Sequence, residues 1–192
     1  MSVSERYIVS DKKPDLKSIQ KVLSNDLKKS PSLPPVHLWK PEFSGDLDIQ
    51  ITRDGHWIHE GGEIKRPAMV TLFSTILWRE GDRYFLVTPV EKVGIQVEDV
   101  PFFFTSLEVR QVEQGQELVF TSSTDDVVIA SAEHPLRVAT DPDTGEPSPY
   151  LMVRYGMEGR LSRNVFYQLA ALAEERDGVF GVESCGEWFK IG

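Results

Sequence analysis

The chain has 192 residues, 40% hydrophobic and 10% aromatic, which supplies a packed core for one large or two small domains. A formal charge of −9 and an isoelectric point near 5.0 argue against non-specific nucleic-acid binding, whose affinity comes from lysine and arginine neutralising phosphates. The single cysteine, Cys185, excludes an internal disulfide, and with no apolar leader and no long apolar run we expect a cytoplasmic protein that does not enter membranes.

Met1 to Lys13 is polar. Pro14 to Lys29 places Leu16, Ile19, Leu23 and Leu27 on one stripe, with Asp15 early and Lys28 and Lys29 late, the charge order that suits a helix dipole. Its few bulky apolar residues favour docking on the protein's own body over membrane or partner binding. Ser30 to Pro35 reads as a linker, and Val36 to Trp39 as an apolar segment packed on the first module. Leu47, Ile49 and Ile51 then alternate with Asp46, Asp48 and Gln50, the period of a half-buried strand. Asp54-Gly55 turns the chain into a second strand, His56 to His59, which Gly61-Gly62 ends. Pro67 suits a helix start, and Met69, Leu72, Phe73, Ile76 and Leu77 predict a helix over Ala68 to Trp78 that Gly81 stops. Arg83 to Thr88 is a return strand closed by Pro89.

Beyond Pro89 the pattern predicts short strands over Gly94 to Val97, Phe102 to Val112, Glu117 to Ser122, Val127 to Ala130, Leu136 to Ala139 and Tyr150 to Arg154. Phe102-Phe103-Phe104 is too apolar to face water on both sides, so its strand is expected to be central or to lie over a seam. A second helix is predicted over Arg163 to Arg176, ending at Gly178, followed by a strand pair around Ser184 to Gly186. The predicted class is α+β. Residues 1–35 form an arm with an amphipathic helix, 36–90 a first α+β module, and 91–192 a β-rich module, a curved antiparallel sheet capped by a helix.

Ile64 to Leu72 aligns with Leu161 to Leu169: each segment follows a glycine-containing hairpin (Asp54-Gly55, Tyr155-Gly156) and runs apolar-x-Arg into a helix start. We read a duplicated hairpin-helix unit. Arg66 and Arg163 both stand at helix N-termini, where unpaired N–H groups already make the potential positive. Either each is neutralised by a carboxylate such as Glu63, Asp48 or Glu158, or each forms half of a site for a phosphate or carboxylate. Lys92, next to Glu91, is either half of a solvated pair or a third cation beside those arginines. Trp39, Trp57 and Phe102 are available to stack on a ring.

No cofactor or metal is expected. His56 and His59 fall on opposite faces of a predicted strand, His37 and His134 stand alone, and Asp141 to Glu146 has the glycine spacing of a hairpin loop rather than of a calcium loop. Cys185 has no basic sequence neighbour to lower its pKa. Phosphate-loop, dinucleotide and nucleophile-elbow motifs are missing, so no residue is assigned a catalytic role.

The runs PPVHLW, DGHWIHEGGEIKRP, LFSTIL, YFLVTPVEKVGIQVEDVPF, RNVFYQLAALAEE and GVFGVESCGEWFKIG together resemble the bacterial family DUF1285, from Pro34 to the end of the chain. LVTPVEK, Leu86 to Lys92, is the most specific piece. The resemblance implies a two-part fold with an internal duplication, a C-terminal part superficially similar to pleckstrin-homology domains, and a site at the domain seam for a nucleotide-like molecule. It implies no activity, and fold alone carries no function. The preferred reading is a ligand-binding or regulatory protein that takes a small anion at the seam through Arg66, Arg163, Lys92 and Glu91. The alternatives are a hydrolase using Asp48, Asp54 or Glu91 as base, and a scaffold for a protein partner.

Overall fold

The computed structural model describes residues 14–26, 32–113 and 115–192; Met1 to Lys13, Leu27 to Lys29 and the first part of the Ser30 to Pro35 linker lie outside them. Within the described residues the class is α+β, mostly sheet with three helices. The first helix, α1 (Leu16–Asp26), buries Leu16, Ile19 and Leu23 in the core, so its apolar stripe is satisfied by the protein's own body. A 3-10 turn, Val36–Leu38, follows and buries Val36, with Trp39 packed partly buried behind it.

The first sheet contains β1 (Phe43–Ile51), β2 (Trp57–His59), β3 (Gly62–Glu63), β4 (Leu77–Glu80), β5 (Arg83–Val87) and β6 (Lys92–Val97), in the order β3-β2-β1-β6-β5-β4. Helix α2 (Pro67–Ser74) links β3 to β4. The second sheet contains β7 (Phe102–Val112), β8 (Gly115–Ser122), β9 (Val127–Ile129), β10 (Leu136–Thr140), β11 (Pro147–Arg154) and β12 (Met157–Leu161), in the order β9-β8-β7-β12-β11-β10. Both sheets therefore read third, second, first, sixth, fifth, fourth. In each, two antiparallel trios meet through a parallel pair of first and last strands, β1 with β6 and β7 with β12. The C-terminal half is thus not purely antiparallel as the sequence suggested, because β12 returns alongside β7 at Gly159 to Leu161. Helix α3 (Arg163–Ala171) and a small third sheet of β13 (Glu174–Arg176), β14 (Val179–Ser184) and β15 (Glu187–Lys190) complete the chain.

The hairpin-helix unit occurs twice, as β2-β3-α2 and β11-β12-α3, inside this larger repetition, but the hairpin of the first copy turns at Glu60-Gly61 and not, as the sequence suggested, at Asp54-Gly55, which joins β1 to β2. The two copies are not in equivalent places: α2 leaves an edge strand, α3 a central one. The first sheet also runs on through β6 to Val97, past the break at residue 90 drawn from the change in sequence character.

Both predicted helices end early. The Ser74 and Thr75 hydroxyls donate to the Thr71 and Leu72 carbonyls, at 2.8 and 2.7 Å, and Leu77 to Glu80 instead pair with Arg83 to Leu86. After α3, Glu174 to Arg176 pair with Val179 to Gly181 around Asp177-Gly178, both at positive φ (52° and 79°). Glu60-Gly61, Tyr155-Gly156 and Cys185-Gly186 show the same pair of positive φ values, the backbone of a tight hairpin turn that suits twisted strands.

One continuous apolar cluster joins the modules, with Trp57, Phe73 and Leu86 on one side and Phe102, Phe104 and Phe120 on the other. Among the described residues no helix is long and apolar enough to cross a membrane.

Candidate functional site

The structure disperses most of the residues that the sequence brought together. Lys92 donates to both Glu80 carboxylate oxygens at 3.0 and 3.1 Å and lies 5.1 Å from the Phe85 ring centroid, so its charge is spent within the first sheet. Glu91 sits in the turn before β6, where it accepts from the Ser18 hydroxyl at 3.4 Å. Trp57 is buried and stacks on Phe73 at 6.4 Å, Phe102 is buried under the Arg154 guanidinium, and Trp39 packs on the core. None of these three rings lines the cleft at α3: Phe102 is core, Trp57 is buried at the edge of a second cleft beside His56, and Trp39 is half-buried against the core. Arg66 is the exposed cap residue of α2, with no side-chain partner among the described residues, and lines neither of the two seam clefts described next.

Arg163 alone of the predicted cations faces a cleft. Leu161 ends β12, and the Ser162 hydroxyl accepts the Val165 N–H at 3.3 Å, which fixes the first turn of α3 and leaves Arg163 as its exposed first residue. Arg160, on β12, reaches the same cleft, while its Nη1 donates to Asp99 at 3.1 Å. Asp99 lies in the link between the sheets and also accepts the Tyr150 hydroxyl at 3.0 Å, so one carboxylate fixes an arginine and a tyrosine. Burial first, then the hydrogen bond to Asp99, raises the Tyr150 pKa. The walls are Pro147, Pro149, Phe103, Phe166 and Tyr167, the last 63% exposed, and Asp54 closes the cleft from the β1–β2 turn of the first module. The cleft holds about 390 Å³. It offers two guanidinium groups, flat apolar surfaces, and the carboxylates of Asp54 and Glu146. Of the three carboxylates considered as a base, only Asp54 is here; Asp48 lies exposed on β1.

Gly55 is what lets the first module approach so closely. A Cβ at Gly55 would lie 2.5 Å from Phe103 Cβ, and its φ of +82° suits glycine. A second seam cleft of about 400 Å³ opens on the other side of this turn, with His56 and Glu63 at its edge; the His56 Nδ1–H donates to Glu63 at 2.8 Å.

Sequence reasoning missed the Arg154–Asp126 pair. Arg154 on β11 is nearly buried, bonded to the Asp126 carboxylate and, through Nη2, to the Ser74 carbonyl at 2.8 Å, and its Nε is buried without a partner among the described residues. A cleft of about 520 Å³ lies beside it, lined among others by Val127 to Ile129, His134 and Cys185. The His134 Nδ1–H donates to the Met152 carbonyl at 3.1 Å, so in the neutral ring Nε2 is the acceptor. Its arginine is already committed on two sides, which makes this cleft a poorer seat for an anion than the one at α3. No local pattern marks the pair, because its members lie 28 positions apart.

Two crystal structures resemble the chain. A DUF1285 family protein from Silicibacter pomeroyi DSS-3 is 49% identical, with 88% of this chain and 93% of that one covered at a TM-score of 0.79. A DUF1285 family protein from Shewanella baltica OS155 is 28% identical, with 64% and 90% covered at a TM-score of 0.50. No curated protein matches the chain. The model of the DUF1285 N-terminal domain, a domain of unknown function, matches residues 34–100, and that of the DUF1285 C-terminal domain matches residues 101–191. The two models meet in the link between the six-stranded sheets, and the chain belongs to the DUF1285 family.

Proposed function

We propose that the protein is a non-enzymatic ligand-binding protein, regulatory or signalling in role, whose α3 cleft takes a small anionic, nucleotide-like molecule. The observation that carries this is Arg163: an exposed guanidinium at a helix start with no ion pair among the described residues, beside Arg160, which Asp99 holds in place. A cation at a positive helix end is unfavourable, and a phosphate or carboxylate would relieve it. Tyr167, Phe166 and Pro149 give a planar group surfaces to lie against, and Asp54 and Glu146 accept from its N–H groups. The pleckstrin likeness contributes nothing to this reading. The protein binds its small molecule in the cytoplasm, without nucleic acid or membrane.

The test is a thermal-shift series with inorganic phosphate, nucleoside monophosphates and dicarboxylates on the wild type, Arg160→Met and Arg163→Met. A nucleoside monophosphate should raise the melting temperature more than phosphate does, and both variants should lose the shift, because a ligand that prefers the native state stabilises it. If no anionic probe at millimolar concentration moves the transition, the proposal fails.

A further inference from the structure

The ribbon of β7 and β8 has one closed edge and one open edge. β8 pairs with β9 from Val119 to Thr121, and nearer the ribbon's tip it is bonded to the β14–β15 turn: the Cys185 N–H donates to the Gln116 carbonyl and the Leu118 N–H to the Ser184 hydroxyl, both at 2.9 Å. On the other side β12 pairs with β7 only from Phe102 to Phe104, while β7 continues to Val112. Glu108 to Val112 are exposed one after another, with Val109 at 36% and Val112 at 41%, and among the described residues that edge has no strand beside it. Such edges are usually blunted by proline, lysine or a bulge. The bulge of β7 lies between Phe104 and Ser106, where the pairing with β12 ends; Glu108 to Val112 itself has none of these, only Glu108 and Arg110, which neutralise each other at 2.9 and 3.2 Å.

We propose that this edge is a self-association surface, on which β7 pairs antiparallel with β7 of a second copy about a two-fold axis through Val109. The charges select the register. With equal faces up, a two-fold axis along the sheet normal must pass through a residue, since paired side chains share a face. Centred on Glu108 the pairing sets two glutamates opposite each other, and centred on Arg110 two arginines. Centred on Val109, Glu108 of each copy faces Arg110 of the other, the two valines meet at the axis, and both ion pairs exchange an intrachain partner for an interchain one. The product is one sheet running through both copies.

Sedimentation velocity over a concentration series decides it. The wild type should show a concentration-dependent dimer. Glu108→Arg and Arg110→Glu should each shift the dimer constant by on the order of tenfold or more, since each turns both cross-strand attractions into repulsions. Mixing the two single variants should restore a dimer, because every cross-strand pair is then of opposite sign, and the double swap should dimerise alone. Both positions are exposed, and far-UV circular dichroism checks that the folds are intact. A wild type that stays monomeric at the highest concentration overturns the proposal. So does a dimer indifferent to the single changes, or a mixture that stays monomeric.

Discussion

Arg154, from the second sheet, donates through Nη2 to the carbonyl oxygen of Ser74 at the end of α2, 2.8 Å away. A cation from one module thus occupies the negative end of a helix in the other, and the Asp126 carboxylate holds it there. Replacing Arg154 by Met should cost about 3 to 5 kcal/mol, mostly because Asp126 is left nearly buried without its countercharge. Urea titration of the single variant and of Arg154→Met with Asp126→Leu checks this: the double variant should lose much less than the single one.

Gly55→Ala should destabilise by about 1 to 3 kcal/mol, from strain at positive φ and from collision with Phe103. Adding Phe103→Gly, which takes away the Cβ that is struck, removes the collision but not the strain, so part of the loss should return in a double-mutant cycle. Full additivity of the two changes would show that the turn does not rest on Phe103.

Lys92 and Arg163 should behave in opposite ways. Lys92→Met breaks the Glu80 pair and the Phe85 contact and should lower stability by about 0 to 1 kcal/mol without changing any ligand-induced shift. Arg163→Met should leave the stability of the free protein within about 0.5 kcal/mol and abolish the shift. Chemical denaturation and thermal-shift curves on the two proteins give both readings.

Tyr84 and Tyr150 both have raised pKa values, burial being the first cause in each. A folded-state pKa above the unfolded value means that the native state keeps the proton longer, so this contribution is complete below the ordinary tyrosine range, about pH 10, and is lost as pH rises through the folded pKa. Stability should therefore fall above about pH 10. Tyr150→Phe should flatten that fall, even though it also removes the hydrogen bond to Asp99 and lowers stability at neutral pH. Denaturant midpoints measured across the alkaline range, with tyrosinate absorbance as the titration readout, test it.

The strands were legible where one face is buried. Leu47, Ile49 and Ile51 line the inner face of β1 as their alternation predicts, and Pro67 and Arg163 open the two predicted helices. The ends of those helices were misread for one reason. Ile76 and Leu77 continue the apolar period of α2, and Gly81 and Gly178 stand where helix stops are expected, whereas Glu80 to Arg83 and Arg176 to Val179 are hairpin turns whose flanking residues pair as strands. Asp177-Gly178 between short β-compatible runs was itself a hairpin signal. Parallel pairing of β7 with β12 leaves no local trace, since the partners lie more than fifty residues apart, and so the shared strand order was visible only as its fainter echo around Arg66 and Arg163. That echo singled out one arginine that faces a cleft and one that does not, because the copies leave their sheets from different strands.

Pairing first with last strands also governs when each sheet can exist. β1 lacks its parallel neighbour until β6 has been made, and β7 lacks its own until β12, so neither sheet can close before its last strand has been synthesised. Such long-range closure makes for slow, all-or-none assembly of each half, since loop entropy must be lost before the contacts that repay it are formed. A nascent chain stopped short of the last strand of either half would carry one trio with a bare inner edge and at most two strands of the other, and that is the stage at which this fold is most exposed to aggregation and most in need of a chaperone.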